Sequence, residues 1–388
     1  MRVIIATRIY RPEPAAASLY LGCVADALRE QGAEVEVLTA EPVPGQGNGS
    51  RGERIRTFPV LRDRNGYLRG YVQYMSFDIP LFFRLLFARR PDAVFVEPPP
   101  TTGAVVRVVC AIRGIPYVYD AADIWSDAAG YMGTSSLAVR ILRSIERFAL
   151  RGARGLVTIS EGVADRVRAL GVHTPATVTG FGADTLIFHY AEAPVERVFL
   201  YAGTYTELHG ADILIEAFAR FSATHPGYRL RFIGNGSGQE QMLQHAHELG
   251  IGGSVDFVDP VAPAALQPEF SRAVASLSTQ FPEPGYRYAF TSKIYSSFAA
   301  GCPVIFAGPG PTGSFIEQAA QQIELGSAVA YEADAIADAM RSRADAPLPA
   351  EKRRALASWA ATHHSMGAVG RRVAEVISAA ARTRGGRR

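Results

Sequence analysis

The chain has 388 residues, 48% of them hydrophobic, and a formal net charge of +3. That length exceeds one ordinary core, so two domains of roughly 150–200 residues are expected, and the small net charge excludes wholesale nucleic-acid binding, leaving only local basic clusters to matter. Cys23, Cys110 and Cys302 are odd in number, far apart, in apolar settings and without metal-ligand spacing, which reads as reduced, buried thiols of a cytosolic protein.

The opening MRVIIATRIY is interrupted by Arg8 and Arg11 too early for a signal peptide, and no apolar run is long enough for a membrane helix. Residues 2–6 (RVIIA) predict a strand that closes on a Pro-rich turn. Helical spacing follows over 15–30, then a strand at 35–39 (VEVLT), so the chain opens as a βαβ unit. The alternation continues with strands at 93–96 and 116–119, a helix over 136–151 and a strand at 155–159. A second series begins with a strand at 198–202 (VFLYA), a helix over 210–224, and strands at 229–233, 255–258 and 303–306. Short, continuously apolar strands between helices mean parallel sheets covered on both faces. The expected fold class is therefore α/β, with two doubly wound, Rossmann-like domains joined near 185–196.

Residues 43–54, rich in Gly, Pro and Ser, predict an exposed loop. From 66 to 90, aromatic and aliphatic residues mix with arginines ahead of Pro91. That composition suits an amphipathic helix on a membrane surface, and equally a core helix with a charged outer face. The basic tail at 381–388 predicts disorder and weak attraction to anionic lipid.

Ligands of doubly wound sheets sit beyond the carboxyl ends of the strands, so the turns there carry the functional signal. Four such turns stand out. Gly203 to Gly210 (GTYTELHG) follows VFLYA and contains Thr204 and His209; Gly234-Asn235-Gly236-Ser237-Gly238 follows RLRFI; Asp259-Pro260-Val261 follows VDFV; Thr291-Ser292-Lys293 follows the loop at 281–291. Glycines let a backbone approach a ligand closely. In the last turn Ser292 is expected to cap a helix whose free N–H groups attract anions, with Lys293 supplying a positive charge.

In order and spacing these turns resemble the carboxyl-terminal domain of retaining GT-B glycosyltransferases of family 4, nearest the bacterial envelope-polysaccharide subgroup of fucosaminyl and N-acetylhexosaminyl transferases. The amino-terminal half agrees: Asp123-Ile124-Trp125-Ser126-Asp127 is similar to that subgroup's aspartate-leucine-tryptophan-proline-glutamate signature, with Ser126 and Asp127 replacing its last two residues. Thr158-Ile159-Ser160-Glu161-Gly162, Gly171-Val172 and Gly182-Ala183-Asp184, with Phe188 beyond, match the stretch leading to the interdomain linker. The resemblance covers nearly the whole chain. It implies a GT-B architecture of two domains facing across a cleft. Residues 1–190 would form the acceptor side, 191–360 the donor side, and helices over 361–380 would cross back to brace the amino-terminal domain.

The resemblance also assigns residues. Lys293 and Ser292 would meet the donor diphosphate, with Thr204 and His209 approaching the same phosphates. Val258, Asp259 and Val261 would hold the nucleotide base, and Gly234, Asn235 and Gly236 would border the donor pocket. Asp123 is the candidate catalytic contact to acceptor hydroxyl or donor sugar, the alternative being a helix cap, and Arg8, Tyr10 and Tyr131 are candidate acceptor contacts. No metal is expected, because Lys293 can take a cation's place.

The chain departs from the family where two glutamates, eight residues apart, normally read sugar and ribose: Tyr288 and Ser296 stand there. The phosphate turn carries Thr204 and His209 in place of arginine and lysine, and Arg287 or Glu283 are close enough in sequence to substitute. The expected activity is sugar transfer from a nucleotide diphosphate donor, a UDP-sugar above others, to an acceptor hydroxyl with retention. The expected setting is polysaccharide or glycoconjugate synthesis at the inner membrane face. A non-catalytic sugar-nucleotide-binding homologue and an epimerase or phosphorylase on the same fold are the alternatives.

Overall fold

The structure, a computed structural model, describes residues 1–13, 15–42, 49–63, 70–131, 134–205, 209–236, 238–283 and 287–382. Two compact units divide the chain: Met1–Gly180 with Met366–Arg388, and Phe181–Ser365.

The first unit begins with β1 (Arg2–Ala6), α1 (Ala16–Glu30), β2 (Glu34–Leu38), β3 (Arg54–Arg56) and α2 (Tyr71–Phe87). It continues through β4 (Ala93–Val96), α3 (Pro100–Arg113), β5 (Tyr117–Asp120), α4 (Trp125–Tyr131) and α5 (Ser136–Gly152). β6 (Gly155–Thr158), α6 (Glu161–Ala169) and β7 (Ala176–Val178) follow. The second unit contains β8 (Val198–Ala202), α7 (Ile213–Ser222), β9 (Arg229–Ile233), α8 (Gln239–Glu248), β10 (Val255–Val258) and α9 (Pro263–Arg272). Then come β11 (Ala275–Thr279), α10 (Ile294–Ala299), β12 (Val304–Ala307), α11 (Pro311–Ala319), β13 (Gly326–Val329), α12 (Ala333–Asp345) and α13 (Ala350–His363). The last helix, α14 (Met366–Arg382), returns to the first unit and packs along α1. Among the described residues, no helix is long and apolar enough to cross a membrane.

Both sheets are wholly parallel, in the orders β3-β2-β1-β4-β5-β6-β7 and β10-β9-β8-β11-β12-β13. Central strands such as RVIIA and VFLYA are buried along their whole length, which a parallel sheet with helices on both faces demands. The alternation of β8 shows how the layers divide: Phe199 and Tyr201 join one core with α7, α8 and α12, while Leu200 and Ala202 join the core on the opposite face. In each sheet the order reverses once, between β1 and β4 and between β8 and β11. Such a switch point opens a crevice at the strands' carboxyl ends.

β11 (ASLST) is a central strand that hydrophobic patterning misses. Ser276, Ser278 and Thr279 are buried in it, so neighbouring β8 and β12, rather than its own apolar content, hold it in place.

Candidate functional site

At the second unit's switch point, the chain leaves β8 through Gly203 and Thr204, and β9 through Gly234 to Gly236. These two turns are joined backbone to backbone: Gly203 N–H donates to Ile233 O at 2.9 Å and Tyr205 N–H to Asn235 O at 3.1 Å. The approach is too close for side chains. A Cβ on Gly234 would lie 2.1 Å from Gly203 O, and one on Gly236 would lie 2.0 Å from Tyr205 O. Gly234, Asn235 and Gly236 therefore lock the turns together.

Lys293 ends in this frame. Its Nζ donates to the Tyr201 hydroxyl at 2.9 Å, lies 3.5 Å from Thr204 O and stands 4.6 Å from the centre of the Tyr201 ring. The Tyr201 hydroxyl in turn donates to Thr204 O at 2.9 Å. The lysine side chain keeps some contact with solvent, yet the crowding around its ammonium pulls the pKa down to about 7 by desolvation. His209 sits in the same field, and burial, reinforced by the Lys293 charge, lowers its pKa to about 4. His209 is thus neutral at pH 7, and without an anion Lys293 is only part-charged there.

The helix that Lys293 opens is shorter than expected. α10 is six residues long, Lys293 rather than Ser292 is its first flanking residue, and no side-chain cap bond forms there. Ser292 is thus corrected from a capping residue to a half-buried turn residue whose carbonyl accepts from Tyr295 N–H at 3.2 Å. The entry to α10 is held instead by the Thr312 hydroxyl, which accepts from Thr291 N–H at 2.9 Å. With so short a helix, the lysine must carry most of the attraction for an anion. Ser296, one turn on, shares its face of α10 with Lys293 and is the half-buried residue between buried Tyr295 and Ser297.

Tyr288 is half-buried and Arg287 exposed in the turn before that helix. The adjoining residues 284–286, like 206–208 and Ser237, lie outside the described residues. Val258 and Val261 are 38% and 39% exposed at the end of β10, with Asp259 exposed between them. The Val258 carbonyl already accepts from Gly234 N–H at 3.0 Å, so it ties this turn to the glycine turn as well. A cavity of about 490 Å³ in the same unit, lined by Asp212, Glu216, Glu332 and Asp334 beside Arg220 and His245, is largely acidic. A diphosphate would be repelled there.

The first unit gathers a different chemistry at its switch point. Glu97 follows β4 and accepts from the Thr7 hydroxyl at 2.7 Å; Asp120 ends β5 and is 4% exposed. Burial raises both carboxyls, Asp120 well above the usual range; the Glu97 and Asp123 charges add to the effect on Asp120 and the Tyr20 hydroxyl offsets part of it, while Arg8 and the Thr7 hydroxyl offset part of the effect on Glu97. Asp123 stands nearby with an exposed side chain, which limits how far the surrounding crowding lifts its carboxyl. It is not the cap of α4. That place belongs to Glu146 of α5, whose carboxylate accepts from Trp125 N–H at 2.7 Å and Ser126 N–H at 3.2 Å. Asp127 is fully engaged by Arg166 through bonds of 2.6 and 2.7 Å, a structural ion pair.

Two acceptor-side expectations need correction. Tyr10 is 2% exposed and its hydroxyl donates to Glu53 at 2.8 Å, inside a buried network with Arg11 and Asp26; it is a strut. Arg8 is 5% exposed, its guanidinium 4.3 Å from the Tyr74 ring and donating to Pro98 O at 3.3 Å, so it acts on Glu97 as a buried charge and is closed to direct acceptor contact. Tyr131 closes α4, and its side chain lies outside the described residues. Glu97, Asp120 and Tyr201 were not among the candidate site residues, although the first two follow from the strand-end rule applied to 93–96 and 116–119.

Residues 16–182 match the family model of the glycosyl transferase 4-like domain, and residues 183–361 match that of glycosyl transferases group 1. The chain belongs to the GT-B glycosyltransferases. Anabaena HepE, solved with UDP, superimposes with a TM-score of 0.69 at 17% identity over 98% of this GT-B chain and 100% of that one. A glycosyltransferase from Rickettsia africae does so with a TM-score of 0.70 at 12% identity, covering 98% of both chains. Among curated proteins, a D-inositol 3-phosphate glycosyltransferase of Acidothermus cellulolyticus is 30% identical over 41% of this chain and 36% of its own. A glycogen synthase of Mycobacterium tuberculosis is 25% identical over 59% of this chain and 55% of its own. The GT-B chain thus aligns with about a third to a half of the length of these curated relatives.

Proposed function

We propose that this GT-B protein transfers a hexosyl or N-acetylhexosaminyl group from a nucleotide diphosphate sugar to an acceptor hydroxyl with retention of anomeric configuration. The observation that carries the reading is Lys293: a cation held by Tyr201 and the Thr204 carbonyl at the switch point where two glycine-locked turns meet. The ammonium stabilises the negative charge that grows on the departing diphosphate as the bond from the sugar's anomeric carbon breaks. In this reading Lys293 takes the place of a metal ion. The UDP and UDP-glucose named in the structures of Anabaena HepE support a uridine nucleotide. Ser296 and Tyr288 stand where the ribose and sugar would be read, and Asp123 faces the acceptor beside Glu97 and Asp120. We place the reaction in bacterial polysaccharide or glycoconjugate synthesis, in the cytoplasm at the membrane's inner face.

One observation favours a second reading: neither Tyr288 nor Ser296 is acidic, so a homologue that binds sugar nucleotides without turning them over fits the same pocket. Nucleotide release from a panel of uridine and guanosine diphosphate sugars separates the two, with Lys293→Ala as control. Turnover abolished by the alanine supports the transferase; binding without turnover supports the second reading. Turnover untouched by Lys293→Ala removes the phosphate site from this place.

A further inference from the structure

β11 lies beside β8 at the second unit's switch point, with Leu277 opposite Tyr201 in the pairing and both side chains in one core. Two residues on, Thr279 ends β11 on the same face as Leu277, because side chains along a strand alternate with a period of two. Ser276 and Ser278 are buried in β11 as well, but on the opposite face. The pairing thus brings one buried hydroxyl, that of Thr279, beside the phenol that holds the Lys293 ammonium.

The Tyr201 hydroxyl is already engaged: its oxygen accepts from Lys293 Nζ, and its proton goes to Thr204 O. Burial raises the Tyr201 pKa, with Tyr205 and Tyr331 adding to the effect, and the nearby Thr279 hydroxyl offsets part of it. Yet Thr279 Oγ1, in a side chain closed to solvent, makes no hydrogen bond of ordinary geometry. Buried hydroxyls are seldom left so. Thr279 is a donor held in reserve beside an acceptor that Lys293 occupies.

We propose that Thr279 is a positioning residue of this site: as Lys293 turns to a bound diphosphate, the Thr279 O–H donates to the vacated Tyr201 oxygen and keeps the phenol bonded to Thr204 O. A diphosphate draws the ammonium away because charge-assisted bonds are about twice as strong as those to neutral oxygens. The Tyr201 side chain is fully buried, so water cannot replace the lost donor, and an unpaired buried oxygen would count against binding. With the hand-over, the turn after β8 holds its shape while the lysine changes partners. The proposal rests on the phosphate-site reading of Lys293 and adds to it a residue that never touches the ligand.

Calorimetric titration of UDP and of inorganic pyrophosphate into the full chain tests the hand-over, beside urea unfolding. Thr279→Val should weaken both probes by about fivefold, the worth of one hydrogen bond, while the urea midpoint holds or rises because an unpaired buried hydroxyl is gone. Thr279→Ser, which keeps the hydroxyl, should bind both probes to within about twofold of the unaltered chain. In a Tyr201→Phe background, Thr279→Val should change affinity by less than about twofold, since the oxygen it serves is absent. Unchanged affinity in Thr279→Val, an equal loss in both backgrounds, or affinity that Thr279→Ser does not restore overturns the proposal. Lys293→Ala keeps the readings apart. If it loses both probes while Thr279→Val does not, only the hand-over fails; if it binds them unchanged, or the unaltered chain binds neither, the phosphate site fails and the hand-over with it.

Discussion

The Lys293 ammonium donates to the Tyr201 hydroxyl at 2.9 Å while standing 4.6 Å from the centre of the same ring. One residue from the end of β8 thus supplies both an acceptor and an aromatic face to a cation from the start of α10. The cation is positioned at the strand edge, yet no described carboxylate offsets its loss of water.

Donor binding should therefore take up a proton. With the free pKa near 7, a bound diphosphate restores the charged form, so affinity is greatest below pH 7 and falls as pH rises through and above it, by at most tenfold per unit. Titration calorimetry at about pH 6 and pH 8.5 in buffers of different ionisation enthalpy reads both the affinity and the proton count. For folding the sign is opposite to a salt bridge: the native state disfavours charged Lys293, a penalty fully present below pH 7 and gone above the ordinary lysine range. Lys293→Met should then stabilise the apo protein at neutral pH, by on the order of 2 kcal/mol, and lose the donor. Equal donor affinity at both pH values and zero proton uptake would refute the scheme.

Tyr201→Phe keeps the ring and removes the hydroxyl that links Nζ to Thr204 O. The expected loss of stability is about 1 kcal/mol, with donor affinity reduced about tenfold because the ammonium is no longer oriented. Denaturant unfolding and donor titration separate the two effects; a destabilised variant with unchanged affinity would make Tyr201 merely structural.

Gly234→Ala places a methyl group 2.1 Å from Gly203 O, at a backbone φ of 149°. Both the clash and the backbone conformation oppose it, and a destabilisation of about 2–4 kcal/mol is expected. The midpoint of urea unfolding measures it. A neutral result would mean that the β8 and β9 turns are not pressed together as described.

Asp123→Asn should lower turnover while leaving donor affinity within about twofold, because its side chain belongs to the other unit from the phosphate frame. Asp120→Asn, by contrast, should alter the pH profile of turnover, since burial and Glu97 hold that carboxyl well above its usual range. An Asp123→Asn enzyme with full turnover would remove it from the chemistry and leave Glu97 and Asp120 as the carboxylates to examine.

The alternation of apolar runs such as AVFV and VFLYA with helical periodicity made both sheets legible, because a strand buried on both faces is apolar along its length. Strand-end turns pointed to Lys293 for the same reason: the sheet's topology decides where ligands sit before any side chain is placed. What depends on neighbours was not legible. Tyr10 became a strut because Glu53, far along the chain, receives its hydroxyl. Ser292 is no cap because α10 begins only after Lys293, and β11 is a strand because β8 and β12 flank it. Lys293 itself could be located from its local sequence, but not its low pKa, since desolvation is the work of residues brought together from distant positions.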